Sequence, residues 1–165
     1  MAAKTASDAS DAFEPRAVLK RCFGYDSFRP NQEQIVDALL DGRDVLAVMP
    51  TGAGKSVCYQ VPALCLAERA KAQGQVGFTL VVSPLISLMA DQVRSLNAAG
   101  ISAAFVNSSL SSAEQNAALE GAAQGAYVLL YVAPERLATE AFRLRVVRMP
   151  VTLLAVDEAH CISQW

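Results

Sequence analysis

The sequence predicts an α/β fold, a mostly parallel sheet with helices on both faces. Five short apolar segments carry that reading: VLAVM (45–49), FTLVVS (78–83), AAFVN (103–107), YVLLYV (127–132) and VTLLAV (151–156). Stretches of helical periodicity separate them. Four of the five lack clear polar alternation, as strands covered on both faces do. Strands alternating with helices call for right-handed crossovers and a largely parallel order.

Each element follows in turn. Pro15 through Phe23 reads as a short helix, with proline in its first turn. FRPNQEQIVDALLDG places Ile35, Ala38 and Leu39 at helical spacing and Gly42 as its C-cap. SVCYQVPALCLAERAKA is helical but contains Pro62, where a kink or early break is expected. The AERAKAQGQVG connection is weakly apolar and reads as a surface insertion. PLISLMADQVRSLNAAG closes on Gly100, and SSAEQNAALEGAAQG opens with Ser111 and Glu114 spaced as a capping box. PERLATEAFRLRVV is the last expected helix.

The 165 residues suit one domain, which at this size buries roughly 70% of its unfolded surface. A composition of 53% hydrophobic and 18% charged residues argues against disorder. The expected boundaries are a flexible tail over 1–14 and a domain over 15–165. MAAKTASDASDAFEP has no apolar signal core, and no apolar run is long enough to span a bilayer. A soluble, cytoplasmic protein without a membrane partner is expected. Fourteen basic against sixteen acidic residues give a net charge of −2, which counts against strong autonomous nucleic-acid binding. Cys22, Cys58, Cys65 and Cys161 form no C-x-x-C pair, and His160 is the only histidine. Free thiols and no zinc site are expected.

Two motifs carry chemistry. VLAVMPTGAGKSVCYQ sets a glycine-bearing loop between an apolar segment and a helix. Gly52 and Gly54 let backbone N–H groups converge, and a helix N-terminus adds partial positive charge, forming a phosphate cradle from Thr51, Gly52, Ala53 and Gly54. Lys55 can reach the β and γ phosphates of ATP, and the Ser56 hydroxyl can ligate Mg2+. The strict G-x-x-x-x-G-K-[ST] pattern wants glycine where Met49 stands. VTLLAVDEAH supplies the second motif: Asp157, at the end of an apolar segment, suits a Mg2+ aspartate. Glu158 suits a base that orients and deprotonates the attacking water. His160 is read as a coupling residue.

FRPNQEQI, MPTGAGKS, VVSPLISLMADQV, YVAPERL and VDEAHCISQW resemble, in order, the motifs of the first motor lobe of RecQ-family DNA helicases. The likeness runs from about Phe23 to Trp165. It implies a RecA-like P-loop NTPase lobe, truncated after the DEAH motif, and ATP-driven 3′→5′ DNA unwinding in repair and recombination. Methionine at the Met49 position is usual in that family. The resemblance further implies that Tyr25 and Arg29 flank the adenine while Gln32 hydrogen-bonds its edge, matching one donor and one acceptor to N6 and N7. Residues 84–92 and 133–137 would face or buttress the DNA backbone.

Similar proteins continue beyond S-Q-W into a DNA-sensing loop, a second motor lobe and zinc-binding and winged-helix regions. The second lobe supplies an arginine worth roughly 10³–10⁵ in rate; the lower figure is about 4 kcal/mol of barrier. The expectation is a nucleotide-binding half-motor with weak Mg·ATP binding, little hydrolysis and no strand separation. Single-stranded or duplex DNA would be the partner of the full-length relative and bind weakly at best here. Protein partners are left open. The alternatives are a non-catalytic ATP-binding fragment, or a P-loop ATPase of other output such as a kinase or transporter. PLISLMADQV and CISQW speak against the latter. An apolar surface left uncovered at VTLLAV is also expected.

Overall fold

The computed structural model describes residues 13–50 and 52–164. Residues 1–12, Thr51 and Trp165 lie outside the described residues, and with them most of the expected tail. The chain forms two compact units, Met1–Gly74 and Gln75–Trp165.

The first unit is helical. Helix α1 (Pro15–Phe23) starts on its proline, α2 (Gln32–Leu40) follows a left-handed Asn31, and α3 (Val57–Ala72) is the long element on which both pack. Val18, Leu19 and Val36 are buried, as is the α3 run from Cys58 to Cys65. Arg16 grips the Glu33 carboxylate with two nitrogens, holding that carboxyl below its ordinary range. Both groups are exposed, so the pair contributes little to stability. Burial pushes the Cys65 thiol up to about 12, which keeps it protonated and unreactive.

Helix α3 passes through Pro62 as one element, without the early break expected there. A proline inside a helix costs about 3 kcal/mol, but here it lies within the buried run 58–65, and each large apolar side chain so buried returns about 1.5–3 kcal/mol. Tertiary burial outweighs the local rule. Residues 45–49, expected as a strand, form none. Leu46 and Val48 are 84% and 92% exposed. An apolar run becomes a strand only when a ladder partner takes its backbone groups.

The second unit is a parallel sheet in the order β2-β3-β1-β4, with β1 Phe78–Val82, β2 Ala103–Val106, β3 Leu129–Val132 and β4 Val151–Val156. Four of the five expected segments are thus strands, within a few residues of their expected bounds. Helices α4 (Ile86–Ala98), α5 (Ser112–Ala123), α6 (Pro134–Leu137) and α7 (Glu140–Val146) fill the crossovers, and a 3-10 turn covers Ala159–Gln164. Side chains alternate across the pleat. Phe78, Leu80, Val82, Val106, Leu130 and Val132 therefore share one face and close over Ala118, Leu119 and Ala122 of α5 and Phe142 of α7. Thr79, Val81, Leu129 and Tyr131 point to the other face and are also buried. Helix α4 packs along β2, where the Asn97 amide both donates to the Ala103 carbonyl and accepts its N–H.

The expected capping box is present: Glu114 N–H donates to Ser111 Oγ, and the Glu114 carboxylate accepts from Ser111 N–H at 2.8 Å. PERLATEAFRLRVV forms two helices rather than one. Thr139 is extended, and its hydroxyl donates to the Arg136 carbonyl, ending α6 and restarting the chain as α7. The uncovered surface expected at VTLLAV is also found, since Leu154 is 58% and Val156 38% exposed. Among the described residues no helix is long and apolar enough to cross a membrane.

These burials separate two leucines of similar sequence context. Leu130→Ala should cost about 2–5 kcal/mol of unfolding free energy, whereas Leu154→Ala should stay within about 0.5 kcal/mol. Urea unfolding of both variants checks the contrast, and equal losses would contradict the assigned faces.

Candidate nucleotide-binding site

The glycine loop lies between the extended residues 45–50 and α3. Gly52 and Gly54 have φ of +80° and +79°, a left-handed region that other residues adopt only with strain. Ala53 N–H closes a turn onto the Pro50 carbonyl at 3.2 Å. Lys55 and Ser56 follow, half-buried, and Ser56 is the N-cap of α3. Met49 places its sulfur 3.8 Å from the Cys58 thiol of α3, giving that position a packing role.

The loop is held from α2 and the segment before it. Arg29 Nη1 donates to the Gly52 carbonyl at 2.8 Å. Gln32 Nε2 donates to the carbonyls of Ala53 at 3.3 Å and Gly54 at 3.0 Å, while its Oε1 accepts from Arg29 N–H at 2.8 Å. Gln32 is 3% exposed. A Cβ built on Gly54 would stand 2.6 Å from Gln32 Nε2, so a side chain there would have to displace that amide as well as adopt a left-handed φ. Tyr25 is 51% exposed in the turn after α1. The structure therefore brings Arg29, Gln32, Gly52, Ala53 and Gly54 together. No distance sets Tyr25 with them, and Thr51 lies outside the described residues.

The second unit holds the carboxylates. Because its strands are parallel and in register, their carboxyl ends stand level along one edge: Val156, Val82, Val132 and Val106. The next residues continue the ladder, Asp157 N–H donating to the Val82 carbonyl at 2.8 Å and Ser83 N–H to Val132 at 3.1 Å. That edge gathers Asp157 with the starts of segments 84–92 and 133–137. Ligands of open parallel sheets bind along such an edge. Asp157 Oδ1 accepts the Glu158 N–H at 3.0 Å, and Glu158 itself has φ +51°, a strained conformation for a residue with a side chain. His160 Nδ1 stands 3.3 Å from Glu158 Oε2, with most of the imidazole exposed.

Sequence reasoning missed a polar chain at this edge. Arg136 Nη1 donates to Gln115 Oε1, Gln115 Nε2 donates to the carbonyls of Asn107 and Leu110, and Asn107 Oδ1 accepts from Ser109. It ties the turn after β2 to α6. A hint was Asn107, a polar residue ending an apolar run.

The chain's residues 29–165 match the model of the DEAD/DEAH box helicase family, and the chain belongs to that family. Its similarity within the family is to RecQ proteins. It is 50% identical over 149 residues to the ATP-dependent DNA helicase RecQ of Haemophilus influenzae, covering 90% of this chain and 23% of that one. The Bacillus subtilis ATP-dependent DNA helicase RecQ is 46% identical over 151 residues, 91% of this chain and 24% of that one. The Arabidopsis thaliana ATP-dependent DNA helicase Q-like 4B is 43% identical over 153 residues, 88% and 12% respectively. The chain thus spans about a quarter of the length of the bacterial RecQ relatives it matches.

Gly54→Ala would combine a disfavoured φ with the 2.6 Å approach to Gln32. Nucleotide affinity should fall about tenfold or more, since the new methyl displaces a hydrogen-bonded amide. Titration with a fluorescent nucleotide checks this, with circular dichroism confirming the fold; unaltered affinity would contradict the loop assignment.

Proposed function

We propose that this chain is the ATP-binding lobe of a RecQ-type DNA helicase motor, which couples ATP hydrolysis to 3′→5′ strand separation in repair and recombination. The observation that supports the reading most is the backbone of the glycine loop, with three successive carbonyls engaged by Arg29 and Gln32. A loop with its carbonyls so occupied offers its amides to an anion.

In this reading Thr51, Gly52, Ala53 and Gly54 cradle the triphosphate and Lys55 supplies its counter-charge. The Ser56 hydroxyl and the Asp157 carboxylate would each offer an oxygen ligand to Mg2+, a donor chemistry that this hard cation prefers. The metal, when bound, neutralises charge on the phosphate oxygens. Glu158 orients and deprotonates the attacking water, and His160, against the Glu158 carboxylate, links that base to the rest of the motor. Tyr25 and Arg29 lie along the adenine, with Gln32 toward its edge. Residues 84–92 and 133–137 face the DNA backbone, and single-stranded or duplex DNA is the partner of the whole motor. Residues 15–165 are the ATP-binding domain, following a tail at 1–14.

Assayed as these 165 residues, the protein should bind Mg·ATP weakly, hydrolyse it slowly and separate no strands. An opposing arginine is worth roughly 10³–10⁵ in rate in related phosphoryl transfers, and nothing within this lobe is assigned that role. Lys55→Ala should abolish Mg·ATP binding in calorimetric titration. Affinity that survives the substitution would remove the cradle, and vigorous DNA-stimulated turnover by the 165 residues would remove the half-motor reading.

A further inference from the structure

Met89 of α4, Asn107 after β2, Gln115 of α5 and Arg136 of α6 are linked in series at the carboxyl edge of the sheet. Asn107 Nδ2 stands 3.9 Å from Met89 Sδ, and both residues are buried. Gln115 Nε2 donates to the carbonyls of Asn107 at 3.3 Å and Leu110 at 2.8 Å, and its Oε1 accepts from Arg136 Nη1 at 2.9 Å. Both N–H groups of that amide and its oxygen are thereby used. Local structure puts Gln115 there. Ser111 and Glu114 cap α5, and Gln115 N–H donates to the Ser111 carbonyl in the first turn. Helical side chains tilt toward the N-terminus, which carries this one back over the turn 107–110.

Arg136 lies in the segment 133–137 that the functional reading sets against the DNA backbone, where an arginine is the ordinary phosphate contact. Its geometry points inward instead. Nε is buried and has no hydrogen-bond partner among the described residues, while Nη1 is on Gln115. Burying a guanidinium nitrogen unpaired costs free energy, a cost that an arm extended toward phosphate does not incur. Helix α6 has reason to need the contact. It is four residues long, Pro134–Leu137, and so short a helix does not hold its place by its own hydrogen bonds. Ala133 N–H ties its start to the Val106 carbonyl at 3.2 Å, and the Arg136 side chain adds a second tie to the same turn.

We infer that Gln115 and Arg136 form an internal strut: it fixes segment 133–137 against the turn 107–110 and, through Asn107 and Met89, against segment 84–92. The two segments are thereby presented to DNA as one surface. Both residues are positioning residues, and neither is a phosphate contact. The inference rests on the DNA-facing reading of that edge and goes beyond it, withdrawing one arginine from the phosphate contacts and adding a glutamine that lies outside both segments. Salt separates the two roles. Each single-strand phosphate neutralised by a cation adds about 0.7 to the slope of log affinity against log salt. A strut residue changes the affinity and leaves that slope alone.

The test is the affinity of the 165-residue protein for a fluorescein-labelled oligothymidylate, measured by anisotropy over a series of low salt concentrations. Amide hydrogen exchange is followed by NMR on the same variants. Gln115→Ala and Arg136→Met should each weaken binding by about fivefold, as lost hydrogen bonds do, with the salt slope unchanged. Each should also speed exchange at Ser109 and Leu110, whose amides donate to Asn107. The double variant should bind within about twofold of either single one, because both break the same link. Gln115→Met keeps the side-chain length and carries the test if the alanine variant folds poorly. Asn116→Ala, next on α5, breaks a contact with Arg145 and should leave both readouts unchanged; a parallel loss there would mean that helix integrity is being read, and would overturn the inference. Arg136→Met that flattens the slope by about 0.7 while the Gln115 variants bind normally would also overturn it, assigning Arg136 to phosphate. So would folded variants that bind as the wild type does. Wild-type protein that binds no oligothymidylate at the lowest salt would remove the DNA-facing reading and the strut's role with it, a failure seen without any variant.

Discussion

A short loop can bind phosphate only if its own carbonyls are kept out of the way, and in this chain that constraint is met by side chains from another element. Every peptide unit carries an acceptor opposite its donor, so exposing amides to an anion obliges the carbonyls to find partners elsewhere. The carbonyls of 52, 53 and 54 find them in Arg29 and Gln32. The two left-handed glycines make the required turns, and the absence of a Cβ at Gly54 admits the glutamine amide. The helix that brings Gln32 there is held by apolar packing against α3, which itself begins at the end of the loop. Loop conformation and helix packing in the first unit are therefore one problem.

The second unit solves a different problem by the same economy of parts. Parallel strands need crossovers, crossovers cover both faces of the sheet, and strands in register end level. The residues just beyond those ends inherit a common edge without any dedicated framework. Asp157, Ser83 and Ala133 each continue the ladder by one backbone hydrogen bond to the neighbouring strand. The DEAH carboxylates thus sit directly beyond the end of β4, while Glu158 is held in a conformation that costs energy and His160 is close against it. Backbone strain of this kind persists where surrounding contacts over-determine it.

Much of this was legible in the residues. Strands buried on both faces read as unbroken apolar runs, so four segments were found with near-correct ends. The capping box at Ser111 and Glu114 was equally plain, because its chemistry is local. The misses share a cause. VLAVM carries the composition of a strand but has no ladder in the structure, and composition does not reveal pairing. Pro62 breaks helices by a local rule that burial of residues 58–65 overrides. The pause at Thr139 comes from one hydroxyl turning back on its backbone. At the site, the loop and the DEAH motif could be named from residue types alone. The contacts of Arg29 and Gln32 with the loop span more than twenty positions of sequence, and no spacing rule announces them.

Family membership narrows what such a loop is for, and the geometry says how it is prepared. The account stands on the claim that the loop over residues 52–56 presents backbone amides to a triphosphate. Backbone amide chemical shifts of the labelled protein, followed as Mg·ATP is added, test it most directly. The account predicts that Gly52, Ala53, Gly54, Lys55 and Ser56 shift furthest, and that Mg·GTP moves the same amides. Loop shifts that stay fixed while another region responds to the nucleotide would contradict it.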